Sequence, residues 1–381
     1  MTRPVFRTHL CDLLGIDYPI MLAAMAPDVS DPRLVAAVSE AGGIGVLACA
    51  DKSPDEMRDL VKETQKLTGK PFGIDVGLPI KAKNFTTDYR KALELANLPK
   101  DHVIFRDGFM DEHDIPYDDD TSHATPGMSS IAAYKLSYEL GQQQVRAILD
   151  LKPTVFVSAL GDPSFMVDDA HAAGIKVMSV IGKTKDAMRV GNGGVDAVIA
   201  TGTAAGGHSG EVDGTVLVPA VSEAVAPTPV VAGGGVTNGR SLAGMLALGA
   251  IGAWVGSRFI AAEECSVPDW YKDALVGATD TSTVRNRWFT GKTTRHINSD
   301  WDRQCDASGL DALPMPEQGI LVTPMTIGAA RVGRQEDSGI YCGQGTARIT
   351  EVLPAAAIIE EMIDSATEIL ARELPARVSF G

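Results

Sequence analysis

The chain has 381 residues, 45% of them apolar and 22% charged, with 39 Gly and 21 Pro. That length suits one large α/β barrel with an insertion better than two or three small modules, and the apolar content excludes a disordered, collagen-like or fibrous chain. A formal net charge of −15, from 34 basic and 49 acidic residues, disfavours broad electrostatic binding to nucleic acid or anionic lipid.

The opening run MTRPVFRTHLCDLLGID places Asp12 and Asp17 where a secretory leader would need unbroken apolar residues. The longest apolar stretch, Leu242 to Ser257, contains four glycines and stops at Arg258, short of the roughly 20 residues that span a bilayer. A cytoplasmic protein with no membrane segment is expected. The five cysteines, Cys11, Cys49, Cys265, Cys305 and Cys342, are odd in number and form no CxxC, so neither a disulfide framework nor a zinc site is expected.

In chain order, strands are predicted near Pro19–Met25, Ile44–Leu47, Pro71–Val76, Thr154–Ala159, Lys176–Val180, Ala197–Ala200, Pro229–Ala232 and Ala250–Val255. Helical patterns fall between them at Asp31–Ala41, Pro54–Leu67, Pro163–Ala173, Lys185–Asn192 and Asn238–Leu248. Asp31, Ser53, Asp162 and Asn238 are expected caps, and Gly42, Gly69, Gly174 and Gly249 expected stops. Eight strands alternating with helices predict a (β/α)8 TIM barrel, with chemistry in the loops after the strands. A doubly wound open sheet is the rival, but no GxGxxG follows the first strand.

Two segments break the rhythm. Residues 77–128, with the runs LPIKAKNFTTDY and DGFMDEHDIPYDDDTSHATPG, are too long for a connector and read as a lid-like surface insertion. Its cluster of Glu112, His113, Asp114, Asp118, Asp119, Asp120 and His123 lacks recognisable ligand spacing, so no metal is assigned. The second segment, 263–345, holds Arg285, Arg287, Lys292, Arg295 and Arg303 within twenty residues, a local reversal of charge that either binds an anionic group or balances nearby carboxylates. Pro354–Arg372 reads as a closing helix.

Three consecutive loops are dense in glycine: TGTAAGGHSG (201–210), AGGGVTNG (232–239) and VGSRF (255–259). Glycine lets backbone amides approach a phosphate, a helix starting at Asn238 would add its dipole, and Ser257 would add a hydroxyl; the last two loops stand where barrels hold phosphate. No GxxxxGK[ST] is present. His208, between glycines, could move a proton or anchor a substrate, whereas His9, His102, His113, His123, His171 and His296 lack that setting. The PIMLAAMAP run ends the first strand with small residues that could wall a flat ring, though a plain strand end reads the same way.

The segments PIMLAAMAPDVSDPRLVAAVSEAGGIGVL, AGGHSG and VVAGGGVTNGRSLAGMLALGAIGAWVGSRF together resemble the nitronate monooxygenase (2-nitropropane dioxygenase-like) family, itself similar to flavin-dependent enoyl-thioester reductases. The resemblance implies FMN, its phosphate near Gly234, Gly235, Gly256 and Ser257 and its ring against Ala24, Met25 and Ala26, with Gly207 and Asp75 also at the cofactor and His208 as proton acceptor or anchor beside it. It further implies a small helical domain after strand eight: residues 263–345 over a barrel of 1–262 and 346–381. Two positions depart from the family's pattern: strand three reads FGID, with Asp75 where Asn is usual, and Ala204 stands where Gln or Glu is frequent. Oxidation of a small nitronate by dioxygen leads; a flavin reaction beside an acyl-thioester carbonyl, with NAD(P)H as a further partner, is the alternative. A non-redox barrel using Lys183 as a Schiff-base residue is the third possibility. Barrel-helix surfaces could also pair subunits in a homo-oligomer.

Overall fold

A computed structural model describes residues 6–78, 86 and 88–378; residues 79–85 and 87 of the expected lid and both extreme ends lie outside the described residues. Eight strands form the central sheet: β1 (Ile20–Leu22), β2 (Gly45–Ala48), β3 (Phe72–Gly77), β4 (Val155–Leu160), β5 (Lys176–Ile181), β6 (Ala197–Thr201), β8 (Val230–Gly233) and β9 (Ala253–Val255). All adjacent pairs are parallel, in the order β1-β9-β8-β6-β5-β4-β3-β2. Leu22 N donates to Ile44 O at 2.9 Å and Ile44 N to Ile20 O at 3.0 Å, which joins β1 to the approach of β2 and closes the barrel. The eight expected strands are therefore all present, the first and last shorter than the sequence suggests.

Burial on both faces explains why these strands read as continuous apolar runs. Met21, Val157, Met178, Ile199, Val231 and Trp254 point inward and fill the barrel. The alternate positions, such as Ile20, Ile74, Phe156, Val177, Val198 and Val230, face outward against the helices. Asp31 caps its helix by accepting from Leu34 N, while Ser53 with Glu56 and Asn238 with Ser241 form capping boxes. Asp162 differs from its expected role. It accepts from Ser164 N at 3.0 Å, only two residues on, so a 3-10 turn forms at Ser164–Met166 and the α-helix begins at Val167.

The two long insertions pack on each other. The segment after β3 carries helices Tyr89–Leu95, Lys100–Glu112 and Ser129–Lys135 rather than an open acidic loop. The segment after β9 carries helices Asp269–Val276, Asp300–Ala307 and Glu317–Arg331 and a hairpin of β10 (Thr283–Asn286) and β11 (Thr294–Ile297). Phe109, Met110 and Ile115 share one core with Trp288, Trp301, Leu321 and Met325; Tyr89 and Ile131 share another with Ile320 and Ile327. Buried Asp118 accepts from Arg331, from His123 Nδ1 (2.9 Å) and from Asp120 N (3.0 Å), so hydrogen bonds within the protein tie the acidic stretch together. No helix among the described residues is long and apolar enough to cross a membrane.

Candidate functional site

The carboxyl ends of the strands open into a cavity of about 300 Å³, roofed by residues of both insertions. Ala24, Met25, Ala26, Asp75, Gly207, His208, Gly234, Gly235, Gly256 and Ser257, separated by up to 233 positions in sequence, all line it. A right-handed parallel barrel brings loop ends together at one rim, which is why small residues scattered along the chain meet here. Gly234 is required by its conformation: φ is +86°, and a Cβ there would stand 2.8 Å from Ala205 N.

This corner of the cavity suits a phosphate. The Gly234 and Gly235 amides find no acceptor among the described residues. Ser257 Oγ accepts from Gly343 N at 2.8 Å, which leaves its own proton to donate. The loop Tyr341–Thr346 supplies a fourth glycine wall that the sequence reading missed, although CGQG marks it: Gly343 and Gly345 line the cavity, and Gln344 N is bonded to Ala204 O at 2.9 Å. A Cβ on Gly343 would meet Ala204 O at 2.7 Å. The helix expected at Asn238 does begin there, as Gly239–Ala247, with Asn238 as its cap. Ser241 N is capped by Asn238 Oδ1 (3.0 Å), and Ser241 Oγ accepts from the amides of Thr237 (3.0 Å) and Asn238 (3.1 Å). Gly239 packs against the closing helix, where a Cβ would meet Met362 O at 2.5 Å.

His208 sits in a two-residue strand, β7 (Gly207–His208), paired antiparallel with β11. Its Nε2 is 3.0 Å from Thr290 Oγ1, and Thr290 Oγ1 donates its single proton to Lys292 O at 3.1 Å. With the hydroxyl proton on the Lys292 carbonyl, the threonine oxygen accepts from histidine, Nε2 carries the ring proton and Nδ1 is the lone-pair nitrogen. Burial, and then the charge of Lys292, pull the His208 pKa from 6.5 to about 4, so the imidazole is neutral at ordinary pH. Its accessible surface faces the cavity it lines.

The basic cluster is divided among several uses. Arg285 donates to Gly210 O (2.6 Å) and Ser209 Oγ (3.2 Å), and Arg295 to Thr203 O (3.0 Å) and Thr283 Oγ1 (2.8 Å); both guanidinium groups hold the histidine loop by its carbonyls. Arg287 bonds Gly291 O at 2.9 Å, and Arg303 pairs with Asp300. Lys292 alone of the five lines the cavity, and it makes no ion pair among the described residues. Lys183 pairs with Glu211 at 3.0 Å. The carboxylates of Asp300 and Asp337, which with Glu336 could be imagined around an ion, are held by Arg303 and Arg334.

Two polar atoms at the cavity floor are buried without partners: Asp75 Oδ2 on β3 and Thr201 Oγ1 on β6. Burial raises the Asp75 carboxyl well above the ordinary range. The floor between them includes Trp254 and Val180. Unfilled donors or acceptors over an apolar floor, beside free amides and a small-residue wall, fit a flat heteroaromatic ring carrying one phosphate.

The family model for nitronate monooxygenase matches residues 7–365. A Mycobacterium tuberculosis chain named as a monooxygenase is 35% identical over 370 residues, covering 94% of this chain and 96% of that one. A Staphylococcus aureus chain named as a nitronate monooxygenase is 26% identical over 386 residues, covering 96% and 98%. Among solved structures, nitroalkane oxidase from Streptomyces ansochromogenes aligns with a TM-score of 0.78 at 29% identity, covering 95% of this chain and 99% of that chain. FabK from Thermotoga maritima aligns with a TM-score of 0.74 at 28% identity, covering 98% and 99%.

Proposed function

The chain belongs to the nitronate monooxygenase family, and from that premise we propose that it is an FMN-dependent oxidoreductase that oxidises a small nitronate with dioxygen, using His208 beside the flavin. The observation that carries this is the meeting, in one cavity, of four glycine-rich loops, the free amides of Gly234 and Gly235, and a neutral histidine bonded to Thr290. Gly234, Gly235, Gly256 and Ser257 would hold the phosphate against the close wall of Gly343 and Gly345, and Ala24 and Met25 would lie against the ring. When bound, the flavin supplies the electron transfer between substrate and dioxygen.

The chain's own groups do the rest. Lys292 offers an uncompensated positive charge at the cavity, suited to the oxygens of a nitronate anion. His208 Nδ1, unprotonated and facing substrate, can accept a proton from a substrate carbon or anchor a donor. Thr290 positions that nitrogen through Nε2. Leu136, Leu160, Ile260 and Met315 add apolar wall that would limit water at the reacting end.

Similarity to FabK supports a second reading, reaction beside an acyl-thioester carbonyl. Arg285 and Arg295, the cations of the covering hairpin that could have met a carrier's phosphates, are engaged with backbone carbonyls, which favours the nitronate. The test is the visible spectrum of the purified protein, identification of the released pigment, and anaerobic reduction by a nitronate, an acyl-CoA and NAD(P)H in separate cuvettes. Rapid bleaching by nitronate is expected. A colourless protein that takes up no FMN would end the flavin proposal, and bleaching by the acyl-CoA alone would transfer the assignment to thioester chemistry.

A further inference from the structure

Asp75 is a carboxyl group in a place that offers it nothing to bind. It is 3% exposed, and in register its strand neighbours are Ala48 on β2 and Val157 on β4, whose side chains project the same way. Oδ2 has no hydrogen-bond partner, and no basic side chain among the described residues is within ion-pair distance of the carboxyl. The titratable groups on the neighbouring elements are occupied or neutral. Cys49 carries a buried thiol pushed up by its surroundings; Asp51 is paired with Lys52 at 3.2 Å and with Lys135 at 3.6 Å, and Lys52 reaches Asp28 at 2.6 Å. Strand β4, VFVSAL, brings no ionisable side chain. His208 and Lys292 line the same cavity, and neither bonds Asp75.

An ionised carboxylate without a cation or donor costs several kcal/mol in such a setting, whereas the neutral acid costs little more than an amide of the same shape. A neutral acid has one O–H to donate, and Asp75 lines the cavity. Resting on the flavin reading above, we infer that Asp75 is held as a carboxylic acid and donates its O–H to a carbonyl or ring-nitrogen acceptor of the bound isoalloxazine, a positioning role for the cofactor and not a proton exchange with substrate. The residue then acts as a side-chain amide would, and Asp75→Asn conserves the donor while Asp75→Ala removes it.

The experiment titrates FMN into apoprotein of the wild type, D75N and D75A at pH 7.5, following flavin fluorescence, with infrared difference spectra of wild type against D75N. The expected result is D75N within about threefold of the wild-type affinity and D75A weaker by about tenfold, the worth of one hydrogen bond. The wild-type spectrum is expected to hold a protonated-carboxyl C=O band that D75N lacks and that shifts when FMN binds. The inference is overturned if D75A binds FMN as tightly as wild type, or if no such band exists, even though both results would leave the flavin proposal standing. Wild-type protein that binds no FMN would remove both together.

Discussion

Gly234→Ala isolates the phosphate cradle. The residue has φ +86°, so an alanine pays about 1–2 kcal/mol for the left-handed conformation alone. Its Cβ would also stand 2.8 Å from Ala205 N and 2.9 Å from Ala205 Cβ, contacts that only a shift of one loop against the other relieves. Such forced displacement costs about 1–3 kcal/mol, for a total of about 2–5 kcal/mol. One of the displaced elements would hold the phosphate and the other carries His208, so FMN affinity should fall by at least about 30-fold, equivalent to about 2 kcal/mol. Gly174→Ala is the control: φ is +80° but nothing lies within 4 Å of the added carbon, and the residue is outside the cavity. It should cost thermal stability and leave FMN binding unchanged. Fluorescence titration and thermal unfolding of both variants decide the matter. If G234A keeps wild-type affinity while losing no more stability than G174A, Gly234 is an ordinary turn residue and the cradle is misplaced.

Other consequences are measurable. The His208 ring proton signals should titrate near pH 4 in NMR spectra, and Lys292→Gln should move that midpoint upward, toward 6.5, without reaching it because burial is the larger cause. Because the folded state gives up this proton more readily than an unfolded histidine does, the neutral ring favours folding above pH 6.5, and this contribution is lost as pH falls from 6.5 toward 4. Thr290→Val, close to isosteric at a fully buried position, should lower kcat/KM by about tenfold with FMN affinity intact, and nitrogen NMR should show a mixed His208 tautomer; an unchanged tautomer would remove Thr290 from its positioning role. In the covering segment, Asp302 accepts from His296 (2.9 Å), Asn286 (2.7 Å) and Ser299, all within the fold, so Asp302→Ala should cost about 3–5 kcal/mol in urea unfolding. Its carboxyl lies below the usual range, so that stabilisation is present at neutral pH and is lost as the solution is acidified through the lowered folded value. A cost under about 1 kcal/mol would mark the cluster as solvated.

Much of the barrel was legible because its information is local. Strands such as Val155–Leu160 and Ala197–Thr201 are short apolar runs closed by turn residues, and the glycines at 207, 234, 235 and 256 mark where the backbone must pass near something. The Asn238 helix start was legible on information equally local: Ser241 lies three residues on and completes the capping box. The covering helices were harder. Glu317–Arg331 is buried on nearly every side and contains Pro324, so it shows no amphipathic period from which a helix could be recognised.

The basic cluster shows why charge in a sequence underdetermines chemistry. Five cations within twenty residues of an acidic chain look like an anion site, yet a guanidinium has five donors and satisfies them as readily on carbonyl oxygens as on phosphate. Arg295 finds Thr203 O across 92 positions, and Arg285 finds Gly210 O across 75. Those contacts hold the glycine-flanked histidine loop against a hairpin contributed by the covering segment. Thr290 and Lys292 arrive on the same hairpin, so the group that sets the His208 tautomer and the charge that lowers its pKa come with the clamp that fixes its position. Loss of either arginine should therefore move the His208 titration and slow turnover together, and an effect on turnover with the titration unmoved would separate the clamp from the electrostatics.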